Sequence, residues 1–122
     1  MTRFLTPAAL ALVALAPAAY AQQAPAPSLT IEQRTALRCS VAFALVAEGQ
    51  ARGDAEMAAY PALGDRGREF FVRTSARIMD ETGLNREAVA GILAAEVESL
   101  REKGALDQVM PPCLLLLDAS GL

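Results

Sequence analysis

Cys39, Cys113, Arg38 and Glu96 are the residues whose types and spacing point to chemistry in this chain of 122 residues. Two cysteines in an oxidising compartment most simply form one disulfide. Closing the loop over residues 40–112 would stabilise the fold by roughly 4 kcal/mol through the lost entropy of the unfolded chain. The alternatives are two buried free thiols or a redox pair, and a catalytic dithiol normally keeps its cysteines in a C-x-x-C arrangement that is absent here. Glu96 falls inside an apolar stripe, one turn after Ile92 and Leu93 and one turn before Leu100. Its plain role is to reach water or pair with an arginine, Arg38 or Arg77. Its sharper role is a carboxyl of raised pKa in an apolar pocket, suited to acid-base work or to sensing low pH. Arg38 points between Ala42 and Leu45, so it serves either an ion pair inside the fold or a packed stem with a solvated head.

The absence of histidine narrows the rest. It removes the usual general base near neutral pH and the commonest metal ligand, and with them Ser-His and Cys-His pairs and ordinary zinc and di-iron sites. Residues 64–70, GDRGREF, have the wrong glycine spacing for a phosphate loop and no Lys-Ser or Lys-Thr after them. Residues 107–118 lack the alternating oxygen ligands of a calcium loop. No metal or cofactor is expected, and no catalytic constellation is visible.

Compartment is read from the first 21 residues. Arg3 precedes AALALVALAPAAYA, an apolar run of about a dozen residues ending in an A-x-A site at Ala19-Tyr20-Ala21. That is the pattern of a cleaved signal peptide, too short for a spanning helix, which needs about 20 residues. A periplasmic or secreted protein starting at Gln22 is expected, without stable membrane insertion. Arg3 is the only charged residue removed, so the net charge moves from −3 to −4. Acidic and basic residues are interspersed and form no basic stripe, which argues against a nucleic-acid partner.

The elements that must position these residues are helical. The chain is 53% hydrophobic but only 5% aromatic, without Trp, and rich in Ala and Leu. Close helix packing fills such a core more readily than a β-sandwich. After a flexible Pro-rich lead over 22–29, Thr30 and Gln33 fit a capping box opening a helix from Ile31 to about Gln50. Its segment LRCSVAFALVAE is apolar nearly all round, so it belongs at the centre, covered on several sides. A short helical segment is expected over 55–60, closed by Pro61, with Tyr60 as a loop anchor. An amphipathic helix follows from Arg66 to Thr82, with Glu69 and Arg73 as a solvated i,i+4 pair and Gly83 as its stop.

Asn85 caps a third helix whose stripe of Val89, Ile92, Leu93, Val97 and Leu100 ends at Lys103-Gly104, with Gly104 as its left-handed stop. Pro112, as a first-turn residue, opens a short buried helix of about six residues containing Leu114 to Leu117. The expected fold is an all-α bundle of three main helices plus a short C-terminal helix, one domain over 30–122, stapled by Cys39 and Cys113.

The function these features favour is a non-enzymatic interaction protein of the cell envelope, of chaperone, inhibitor or immunity-like kind, acting on another envelope protein. The alternative is a carrier binding a small apolar ligand between helices. Phe70, Phe71, Val89 and Leu93 are the candidate contact patch or pocket lining, with Arg38 or Glu96 for a polar end.

Overall fold

The computed structural model describes residues 28–122, and the regular elements among them are all helical. The expected signal peptide and the expected lead up to residue 27 lie outside the described residues. The capping box forms: the Thr30 hydroxyl accepts from the Gln33 N–H at 3.1 Å, and the Gln33 side chain accepts from the Thr30 N–H at 3.0 Å. It opens α1, Ile31–Arg52. Leu37, Cys39, Val41, Ala42, Phe43 and Val46 on this helix are buried, and each of the other helices packs against it. Ser40, the polar interruption, is buried at no cost in unmade bonds because its hydroxyl donates to the Ala36 carbonyl at 2.8 Å.

Residues 53–63 hold a single 3-10 turn, Met57–Ala59, in place of the expected short helix. Helix α2 is Gly64–Thr82, starting two residues before the expected Arg66. Gly67 lets it approach α1 closely, since a Cβ there would lie 2.9 Å from the Phe43 Cβ. Gly83, at φ 73°, ends α2 with its N–H on the Met79 carbonyl at 2.9 Å. Asn85 then accepts from the Ala88 N–H at 2.9 Å and opens α3, Arg86–Leu100, which stops short of Lys103-Gly104.

The C-terminal helix is the largest departure from the sequence reading. Helix α4 is Ala105–Ala119, 15 residues long, with Pro111 and Pro112 inside it instead of at its start. Each interior proline deprives the carbonyl four residues earlier, Asp107 or Gln108, of its N–H partner. Both prolines are exposed, so these carbonyls stay within reach of water. The opposite face, Met110, Cys113 and Leu117, is fully buried, and that docking offsets the proline cost.

Cys39 and Cys113 are bonded, with Cα atoms 5.2 Å apart, fixing α4 to α1. They sit in the main core with Phe43, Val46, Leu63, Phe70, Leu100 and Met110. Leu37, Ile78 and Val89 form a second cluster near the α2/α3 turn, against which Leu29 packs.

Candidate functional site

Arg38 on α1 and Glu96 on α3 meet, Arg38 being one of the two arginines the sequence offered as a partner. Arg38 Nη1 donates to Glu96 Oε2 at 2.7 Å and to the Ser99 hydroxyl at 3.2 Å. Both side chains are partly covered, Glu96 retaining 18% of its exposure. The carboxylate therefore ties α3 to α1. Arg77, the other candidate partner, stands 3.8 Å from Glu81 on its own helix.

Of the four residues expected to share an apolar patch, the structure brings three together. Phe71 on α2 and Val89 and Leu93 on α3 line an open groove of about 580 Å³. Phe70 does not join them. It is buried against Phe43, ring centroids 5.3 Å apart and edge to face. Adjacent residues on a helix diverge by about 100°, and Gly67 and Ile78 turn the Phe70 side of α2 toward α1.

Val72, Ser75, Ala76, Met79 and Ala90 complete the groove wall, with Asp80 and Arg86 at its α2/α3 turn end. Val72 is 56% exposed there, a large apolar side chain left in water. Asp80 and Arg86 take no ion pair among the described residues. The Ser75 hydroxyl oxygen is buried without a hydrogen-bond partner.

Two tertiary braces, and the partner of a third, escaped the sequence reading. Gln50 donates to the carbonyls of Met57, Tyr60 and Pro61 at 3.1, 3.2 and 2.8 Å and accepts from the Leu63 N–H at 3.1 Å, so one side chain shapes the whole 53–63 link. Arg66 donates to Asp118 and to the Leu122 carbonyl, both at 2.9 Å, clamping the end of α4 to α2. Tyr60 is the loop anchor expected, and the structure supplies its partner: its hydroxyl donates to Asp107 at 2.6 Å. That hydrogen bond, then burial and the carboxylate's charge, push the phenol up to about 12. The local signal for Gln50 was a polar residue just after the apolar run of α1, that for Tyr60 its place before Pro61, and Arg66 carried none.

Among the described residues, no group of three or more His, Cys, Asp or Glu is placed to hold a metal ion. No helix among them is long and apolar enough to cross a membrane. Fold and groove together define a small disulfide-stapled helical bundle with an open apolar groove between α2 and α3. Comparison of the chain with family models, curated proteins and solved structures finds no match.

Proposed function

We propose that the protein is a non-enzymatic interaction protein of the cell envelope that docks an amphipathic helix of another envelope protein in the α2/α3 groove. The observation that carries this reading is the groove itself: apolar along about two turns of α2, open along its length, and leaving Val72 more than half in water. Ala76 and Ala90 on its walls are exposed, and such small side chains let a helix backbone come close while Phe71, Met79 and Leu93 receive its apolar residues. Asp80 and Arg86 are charged groups at one end, available to set its direction.

A photo-crosslinking residue at position 72, read out in cells, tests the proposal. A discrete protein adduct is expected, lost on Ala76→Glu and kept on Leu115→Glu, because Leu115 is an exposed apolar residue on α4, outside the groove. An adduct formed equally from position 115, or one indifferent to Ala76→Glu, contradicts docking in the groove.

The second reading, a carrier of a small apolar ligand, draws support from the volume, which falls in the range of about 300 to 1,000 Å³ typical of small-molecule sites. Native mass spectrometry of the purified protein separates the two. A bound species of fixed small mass, lost on Ala76→Glu, favours the carrier.

A further inference from the structure

A second opening, on the other side of α2, has a different character. It is a cleft of about 490 Å³ between α1, α2 and α4, floored by Ala36, Phe70, Leu116 and Leu122, with Arg73 and Arg77 along one edge. These arginines lie four residues apart, on one face of α2. Thr74 lines the same cleft and is 4% exposed. Ser40 and Thr82 donate their hydroxyls to the carbonyl four residues earlier, at 2.8 and 2.6 Å. The Thr74 hydroxyl makes no such bond and none to any other described side chain, so it faces the cleft without a protein partner, open to water or a ligand.

We propose that this cleft binds a small amphiphile with one anionic head group, its apolar body on the floor and its head between Arg73 and Arg77, hydrogen-bonded by Thr74. The arginines are held only by exposed pairs, Arg73 to Glu69 at 2.6 Å and Arg77 to Glu81 at 3.8 Å. Such pairs contribute little in water, so exchanging Glu69 or Glu81 for a ligand anion costs little. The third carboxylate nearby, Asp118, is held by Arg66. A planar guanidinium suits either a carboxylate or a phosphate head. This inference stands independently of docking in the α2/α3 groove.

The test is an amide-resolved NMR titration of the oxidised protein with decanoate, decyl phosphate and decanol. Saturable shifts at Thr74, Leu116 and Leu122 are expected with the two anions, and about tenfold weaker binding with decanol. Whichever anion binds more tightly identifies the head group. Arg73→Gln/Arg77→Gln should weaken the anions about tenfold and leave decanol unchanged. Thr74→Val should also weaken the anions yet leave the melting temperature unchanged, since the hydroxyl is open to water in the free protein. That combination distinguishes a binding role from a structural one, and it stands even if the double variant folds poorly. No saturable shift in these amides up to about 1 mM, decanol binding as tightly as decanoate, or shifts confined to the α2/α3 groove would each overturn the proposal.

Discussion

Tyr60 and Asp107 are joined by one 2.6 Å hydrogen bond across a separation of 47 residues, and the bond has a calculable pH limit. The phenol ordinarily ionises near 10 and is pushed up to about 12 in the fold. The folded state thus holds its proton after the unfolded state has released it. The stabilisation is fully present below pH 10 and is lost as pH rises toward 12. Melting curves of wild type and Tyr60→Phe should differ at pH 8 and converge by about pH 12; parallel curves would mean that the bond adds nothing. At Glu96 the expected effect concerns packing of α3. Glu96→Gln keeps the shape but weakens a charge-assisted bond to Arg38, and a loss of about 1 kcal/mol in urea unfolding is expected. Ser75→Ala removes a buried hydroxyl without a partner and should stabilise by about 1 kcal/mol in the same assay. The position of Glu96 beside the stripe was legible, as was an arginine partner. The choice of Arg38 over Arg77 was not, because it depends on how α3 sits on α1.

Several helix ends were legible locally, although Lys103-Gly104 misplaced the end of α3, which stops at Leu100. Thr30 with Gln33, Gly83 and Asn85 each act within four residues, and all three do what their types imply. Helix α4 was not, because a local rule was outweighed. Pro111 and Pro112 predict a helix start, but burial of Met110, Cys113 and Leu117 carries the helix through them. Phe70 and Phe71 show the same limit at the groove: the spacing marked both as flanking one face, and only the packing of α2 on α1 assigns Phe70 to the core and Phe71 to the opening. The glycines give a sharp contrast between elements. Gly67→Ala should destabilise by about 1 to 3 kcal/mol, because its Cβ meets Phe43 where two helices touch. Gly91→Ala, with nothing within 4 Å and a place inside α3, should stabilise by about 0.5 to 1 kcal/mol. Thermal unfolding of both variants checks the pair, and a Gly67→Ala protein as stable as wild type would contradict the tight α1/α2 contact.

For the molecule as a whole, composition, helical patterning and the pair of cysteines were enough to read an all-α bundle with one staple, whereas the open α2/α3 face depends on how far apart two helices stand, a distance no sequence pattern encodes. The staple joins residues 74 apart, and Cys39→Ser/Cys113→Ser is expected to cost roughly 4 kcal/mol, a large share of the 5 to 15 kcal/mol usual for a domain. Docking of an envelope protein in the groove requires a chain that is exported and oxidised. The most direct test is the intact mass of the protein recovered from the envelope fraction, with thiols alkylated before and after reduction. A mass beginning at Gln22, with two thiols labelled only after reduction, is the expected result. A mass retaining Met1, with both cysteines labelled at the outset, would contradict it.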